Sequence, residues 1–324
     1  MGRKTITRQL EHCLHDKMAF GESRHEAKNE LRNSLGEEYR FGMTDDKIHA
    51  LETFDTYKKV STEYAKWLIE EKGVSKYIDI KDTERYASEY LQERLDKGLS
   101  VWTIKMERSA LGKIYGQQIQ LRQLPKRQDE EITRSRKECE HDKHFSVSKN
   151  ADLVLIASSS GTRREDLGKV SINSFKEIEG RLYVEFKGSK GGRNRIAPIL
   201  ETKEKEVKAF LERVKKEGKA KNVPLFDKVH SKMDVHSYRR AYAKALYKEV
   251  SANHKMRDTI LKNYPTRCEM KTTIVNGERV TKEIQSQYFR PKGTKEKYER
   301  DDLYVVSQAL GHNRIDVTYH SYLK

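Results

Sequence analysis

Residues 121–145 read LRQLPKRQDEEITRSRKECEHDKHF. The stretch holds Pro125, dense mixed charge and almost no apolar period, so it reads as a linker through which no hydrophobic core can run. It leaves two parts of the chain to fold around separate cores. Length points the same way, because single cores stop growing beyond roughly 250–300 residues and this chain has 324.

Residues 46–120 carry a 3.6-residue apolar period and no strand pattern. A first helix is predicted with Thr44 as its cap and Asp45 and Asp46 in its first turn, where the helix dipole favours acids. Ile48, Leu51, Phe54, Tyr57, Val60 and Tyr64 make its apolar face, Trp67 and Leu68 extend that face, and Gly73 ends the helix. Asp82 or Thr83 caps a second helix bearing Tyr86, Tyr90, Leu91 and Leu95, and Gly98 closes it. Ser100 caps a third with Val101, Ile104, Leu111, Ile114 and Tyr115. The expectation is a compact helical bundle. Residues 1–45 read as a helical N-terminal extension: two polar helices joined near Gly21, Glu22 and Ser23, then a loop at residues 41–43.

Residues 146–324 change character. Residues 152–160 form an apolar helix that runs into a Ser-Gly turn. Residues 182–186 alternate as a strand and residues 194–199 alternate back, with Gly188, Lys190, Gly191 and Gly192 between them, which predicts a β-hairpin with Lys190 near its tip. Helices are expected over 202–217, 236–250 and 301–309. A second hairpin turns at Asn276-Gly277, the strong two-residue hairpin signal. The whole reads as mainly α with small β-hairpins, an α+β domain following a helical one.

The totals narrow the function. Lys and Arg exceed Asp and Glu by a formal +16, spread along most of the chain with no basic tail to localise it. Such a distribution fits a broad anionic ligand such as duplex DNA. Residues 1–45 then read either as an accessory DNA-binding arm or as an extension packed on the bundle. The longest aliphatic run, residues 153–157, is far too short to span a membrane, and no signal peptide is visible. Cys13, Cys139 and Cys268 are scattered and odd in number, which disfavours a disulfide scaffold and a zinc ribbon. His12 and His15 flank Cys13 on a charged helix and read as solvated, so no metal is expected there, and the chain reads as cytoplasmic.

Four short pieces supply a set of cations and imidazoles around one phenol. They are GTRREDL at 161–167, KGSKGGRNRIAP at 187–198, HSYRR at 236–240 and LGHNRIDVTYHSYLK at 310–324. Such a set, without a carboxylate cage for a metal, suits chemistry on a phosphodiester. The i, i+3 spacing of His236 and Arg239 puts imidazole and guanidinium on one helical face, and the fork of an arginine matches two phosphate oxygens. Arg163 and Arg164 are adjacent; on a helix they would point about 100° apart, so only one can reach a common phosphate. A hairpin tip gives a lysine reach, with Lys187 the rival to Lys190. Tyr319 and Tyr322 compete in the last piece.

In this order the pieces resemble the catalytic domain of tyrosine recombinases, the integrases of phages and mobile elements. Gly161-Thr-Arg163-Arg-Glu-Asp166-Leu167 is similar to the box that opens the family's site, His236-Ser-Tyr-Arg239 to its His-x-x-Arg, and Leu310-Gly311-His312 to its Leu-Gly-His. Pro198 minus eight residues is Lys190, and Tyr322 lies ten residues after His312. The resemblance covers residues 146–324 by motif and 46–120 by helical character, and leaves residues 1–45 uncovered. The interval from Arg239 to Leu310 is longer than is usual for the family. The sequence stops two residues after Tyr322, so the resemblance gives no expectation of the tail exchange that many members make.

The resemblance implies a helical core-DNA-binding domain plus a catalytic domain. It makes Tyr322 the nucleophile, Arg163 and Arg239 the phosphate clamp, His236 and His312 hydrogen-bonding groups, Lys190 the acid for the leaving oxygen, and Asp166 a supporting acid. It implies DNA integration or recombination through a 3′-phosphotyrosine and a Holliday junction, with no cofactor and no metal. The partners it implies are double-stranded DNA, a homo-tetramer on two duplexes and accessory DNA-bending proteins, in a bacterial cytoplasm and not at a membrane. The same residues leave open a type IB-like DNA-relaxing topoisomerase and a non-catalytic DNA-binding regulator of recombinase descent.

Overall fold

Ile6, Leu10 and Leu14 recur every four residues and form one apolar stripe on α1 (Ile6–His15), which Thr5 caps by accepting from the Arg8 N–H. In the computed structural model, which describes residues 3–39, 43–126, 144–189, 193–275, 278–312 and 314–324, the chain divides into two units, Met1–Gln128 and Asp129–Lys324. The first unit continues with α2 (Arg24–Leu35), α3 (Leu51–Glu70), α4 (Ile80–Thr83), α5 (Ala87–Asp96) and α6 (Val101–Tyr115). Ile6, Leu10 and Leu14 are fully buried in one cluster with Phe54, Tyr64, Leu68, Leu91 and Leu111. Each such side chain contributes about 1.5–3 kcal/mol, so α1 is part of the core of this unit.

Two expected helix starts move. The helix predicted from Thr44 begins only at Leu51, with Ala50 extended as its cap. Residue 48 is held outside it: the Ile48 N–H donates to the Lys17 carbonyl at 2.8 Å, and the Ala19 N–H donates to the Ile48 carbonyl at 3.0 Å. A tertiary bridge to the end of α1 thus overrides a good local cap, while Ile48 stays buried. The second helix starts earlier than predicted, because Asp79 caps α4 by accepting from the Lys81 N–H at 2.9 Å. Ser100 caps α6 as expected, and Gly116 closes it in the left-handed region.

The second unit carries α7 (Ala151–Ser160), α8 (Arg164–Leu167) and a three-stranded antiparallel sheet in the order β1 (Phe175–Ile178), β2 (Arg181–Ser189), β3 (Arg193–Pro198). Then come α9 (Glu201–Lys216), α10 (Val235–Ala252), α11 (His254–Leu261) and the antiparallel pair β4 (Met270–Val275) and β5 (Glu278–Glu283). A small pair, β6 (Tyr288–Phe289) and β7 (Tyr298–Glu299), precedes α12 (Arg300–Ala309) and α13 (Ile315–Thr318). The chain closes in a π-helical turn over Tyr319–Leu323. This is the mainly helical α+β architecture expected, with β1, α11 and the β6–β7 pair as additions that periodicity did not reveal. Lys190, Gly191, Gly192, Asn276 and Gly277 lie outside the described residues, as does most of the linker.

α10 runs through the middle of this unit and packs on α7, α11 and α12, while α12 packs on β3. Tyr242, Ala243, Leu246 and Val250 of α10 are fully buried in the core. One irregularity matters for the site. Phe186 pairs with Arg195 but Ser189 pairs with Arg193, so β2 carries one residue more than β3 across that interval. Gly188, at φ +57°, supplies the left-handed backbone such a bulge needs. The extra residue turns Ser189 inward, to the same side as Phe186, and both are buried. No helix among the described residues is long and apolar enough to cross a membrane.

Candidate active site

The site is built on the end of α12. Helix C-termini leave carbonyls without partners and concentrate negative potential. Here the Gly311 N–H donates to the Gln308 carbonyl at 2.8 Å and the His312 N–H donates to the Ser307 carbonyl at 2.7 Å. That paired closure is a Schellman cap with Gly311 left-handed at φ +66°. A Cβ on Gly311 would also lie 2.9 Å from Arg195 Cδ, so both backbone shape and close approach demand glycine. The cap leaves the Ala309 and Leu310 carbonyls facing inward, and three arginines meet them there.

Arg239 projects from α10 and is 1% exposed. Its Nε donates to the Tyr322 hydroxyl at 3.1 Å, its Nη1 to the Gly161 carbonyl and its Nη2 to the Leu310 carbonyl. The same Nη2 lies 3.4 Å from His312 Nε2, and the Tyr322 hydroxyl lies 3.3 Å from that nitrogen. A guanidinium can only donate, so Nε2 accepts and the ring proton belongs on Nδ1. Burial, followed by the charges of Arg239, Arg163 and Arg195, pushes the His312 imidazole down to about 4. At neutral pH the ring is therefore uncharged, with Nε2 an acceptor facing the Tyr322 hydroxyl.

Arg163 is the extended residue that precedes α8, not a helical one. Its Nη1 donates to Ser189 Oγ at 2.9 Å and its Nη2 to the Leu310 carbonyl at 3.0 Å, so it shares an acceptor with Arg239. Burial first, and the Arg239 charge second, lower its affinity for its proton. Asp166 is buried one helical turn on; its Oδ2 accepts from Ser189 Oγ at 3.0 Å and from Arg195 Nη2 at 2.9 Å. Arg164 turns elsewhere and donates to the His230 and Met233 carbonyls. The two neighbouring arginines are separated by the break between extended and helical backbone rather than by a helical angle.

Of the residues singled out from sequence, Arg163, Asp166, Arg239, His312 and Tyr322 come together. His236 sits in the first turn of α10 with an exposed side chain, its N–H donating to Asp234 Oδ1 at 3.2 Å. Lys190 is outside the described residues. Tyr319 goes to a different place: its ring centroid lies 5.0 Å from that of Tyr298 and 5.6 Å from that of Phe289, and its hydroxyl donates to Glu296 Oε2 at 3.3 Å. Sequence reading missed Arg195, Ser189 and the Leu310 carbonyl. Arg195 was signalled only by strand parity, since it faces inward with Ala197.

The arrangement gathers positive charge around a phenol and, among the described residues, offers no carboxylate cage there. His254, Glu299 and Asp302 bring ligand atoms within 4.8 Å of one another elsewhere in the unit. Arg257 Nη1 already lies between the two acids, at 2.6 Å from Glu299 and 3.3 Å from Asp302, so a guanidinium neutralises them.

No model of a known family matches the chain, and no curated protein matches it. Among solved structures it is similar to the XerH site-specific recombinase bound to palindromic difH substrate, a post-cleavage complex, at 15% identity and TM-score 0.49, over 97% of this chain and 89% of that one. The pre-cleavage complex of XerH with difH gives 15% identity and TM-score 0.47, over 100% and 95%. The Tn1549 transposon integrase in complex with circular intermediate DNA gives 14% identity and TM-score 0.36, over 98% and 95%.

Proposed function

We propose that this chain is a site-specific DNA recombinase of the tyrosine type. The observation that carries the reading is the placement of the Tyr322 hydroxyl between Arg239 Nε and His312 Nε2, with Arg163 meeting Arg239 at the Leu310 carbonyl. The Tyr322 oxygen attacks a backbone phosphorus while its proton passes to His312 Nε2, whose basicity the negative charge of the bound phosphate restores. The bond from phosphorus to the 5′ oxygen breaks, leaving a 3′-phosphotyrosine. Lys190 supplies the proton that the departing 5′ oxygen takes.

Arg163 and Arg239 stabilise the charge that grows on the non-bridging oxygens. Each η nitrogen carries two protons, so donors remain beyond those spent on carbonyls. His236, one turn before Arg239, adds a bond to the phosphate. The bond energy is kept in the covalent link, so attack by the 5′-hydroxyl of another strand reseals the DNA without a nucleotide cofactor. Four protomers on two duplexes, passing through a Holliday junction and helped by DNA-bending proteins, complete the reading that the motif resemblance supports. The formal +16 charge suits a duplex partner.

The test is covalent trapping on a nicked suicide duplex, which loses the strand needed for resealing. Tyr322→Phe should bind the duplex and give no adduct. Tyr319→Phe should give nearly the parental amount, since its ring packing survives. An adduct that persists in Tyr322→Phe, or that disappears in Tyr319→Phe alone, sinks the assignment.

A further inference from the structure

Arg195 is the one buried arginine of the cluster that the motifs do not explain. It lies on β3 opposite Phe186, on the inward face where strand parity calls for an apolar side chain. Its guanidinium sits 3.9 Å from the centre of the Phe186 ring. Burying a charge there costs several kcal/mol before any partner is found, and a well-packed apolar side chain serves a core as well or better. Burial, with Arg239 close by as a second cause, pushes the guanidinium down to about 10. Stability alone therefore gives no reason for an arginine at this position.

Its contacts supply a reason. Nη1 donates to the Ala309 carbonyl at 2.6 Å and Nη2 to Asp166 Oδ2 at 2.9 Å. The same carboxylate oxygen accepts from Ser189 Oγ, and Ser189 Oγ accepts from Arg163 Nη1. The line Arg195–Asp166–Ser189–Arg163 is continuous and polar, in a unit whose surroundings are apolar. At its other end Arg195 fastens α12 one residue before the Leu310 carbonyl, and its stem fills the space under Gly311. One planar fork thus ties the strand that carries Ser189 to the helix end that carries His312.

We infer that Arg195 is a positioning residue for the strand-transfer reaction: through Asp166 and Ser189 it fixes the Arg163 guanidinium, and through the Ala309 carbonyl it fixes the turn that presents His312. It touches neither substrate nor nucleophile. The inference rests on the reading of Tyr322 as nucleophile and Arg163 as phosphate clamp. A lysine cannot replace it fully, because one ammonium cannot span the carboxylate and the carbonyl as the fork does.

The experiment uses the full chain and a nicked suicide duplex, with duplex affinity and single-turnover adduct formation measured separately. Arg195→Met is expected to slow adduct formation at saturating DNA about 10- to 100-fold, the range for a misplaced reacting group, with affinity within about twofold. Arg195→Lys should recover only part of the loss. In a Ser189→Ala background, Arg195→Met should cost less than it does alone, because the hydrogen-bonded link through Ser189 is already cut and only the longer Arg163–Asp166 ion pair at 4.0 Å remains. Affinity and rate falling together, in proportion to the folded fraction, overturn the inference, and so does full recovery by lysine. Should Arg195→Met not fold, Ser189→Ala decides alone, since it leaves the Arg195–Asp166 pair intact: slower adduct formation supports the inference and an unchanged rate overturns it. A parental protein that forms no adduct at Tyr322 overturns the recombinase reading instead.

Discussion

The two units bury polar groups in opposite ways. In Met1–Gln128 the buried hydroxyls of Tyr64 and Thr83 meet the backbone and a neighbouring phenol: the Tyr64 hydroxyl donates to the Thr83 carbonyl at 2.5 Å, and Thr83 Oγ1 lies 2.9 Å from the Tyr115 hydroxyl. Its buried acid, Glu107, meets Arg94 in a two-bonded pair at 2.7 Å, and Arg94 reaches that pair from the rim with 28% of its side chain exposed. In Asp129–Lys324 three guanidiniums converge on one helix end, close enough for Arg239 to be a cause of the lowered proton affinity of both Arg163 and Arg195. The first arrangement is what a stable core requires. The second gathers like charge, and folding alone does not select it. Clusters of perturbed groups of this kind are where chemistry is expected.

The comparison breaks first at the arginines. Arg239→Ala and Arg163→Ala should each slow adduct formation on a suicide duplex by about 10²–10³-fold or more, the range for losing one preorganised charge-stabilising donor. Arg164→Ala should leave that constant near the parental value, because Arg164 holds the His230 and Met233 carbonyls instead. Equal losses at Arg163 and Arg164 would mean that the cluster is not the reacting one.

Acid should separate the units next. At pH 7 His312 is neutral in both folded and unfolded protein, and its depressed value has no effect. Between about 6.5 and about 4 the unfolded chain takes up a proton that the folded protein refuses, so stability falls as pH drops through that window. Denaturant unfolding of His312→Asn should show a shallower fall. Parallel curves for the variant and its parent would place the acid sensitivity elsewhere.

A third measurement probes the ordinary pair. Glu107→Gln removes the charge that Arg94 meets, so it should cost about 1–3 kcal/mol of stability and leave adduct formation at saturating DNA unchanged. A slower reaction in fully folded Glu107→Gln protein would erase the contrast between the units. The smallest effect is expected at the exposed Lys169–Glu165 pair: Lys169→Ala should change stability by under about 0.5 kcal/mol, as read from the denaturant midpoint.

Helix faces and caps were legible because they depend on neighbours a few residues apart. The stripe Phe54, Tyr57, Val60, Tyr64 and the cap at Ser100 could be read directly. The start of α3 could not, since the bridge between Ile48 and Lys17 belongs to a contact thirty-one residues away in sequence. In the site, the Leu-Gly-His turn was legible as a helix end, while its use as a triple arginine acceptor was not. For Arg195 strand parity was the one signal, and it ran against expectation: an arginine on a strand is normally a surface residue, and only the sheet's packing against α12 puts it inside.

By itself the sequence determined that the chain divides into two parts, the helical character of the first, and the order of the four cationic pieces. Those follow from local composition and period, which act without reference to the rest of the chain. Tertiary structure decided which of Arg163 and Arg164, and which of Tyr319 and Tyr322, enters the site. Arg163 enters because it is extended ahead of α8, and Ser189 because a bulge in β2 reverses its face. Tyr322 enters, and Tyr319 does not, because Phe289 and Tyr298 claim the Tyr319 ring while the closing π-helical turn carries Tyr322 back to Arg239. Each choice turns on a partner distant in sequence, which residue spacing does not encode.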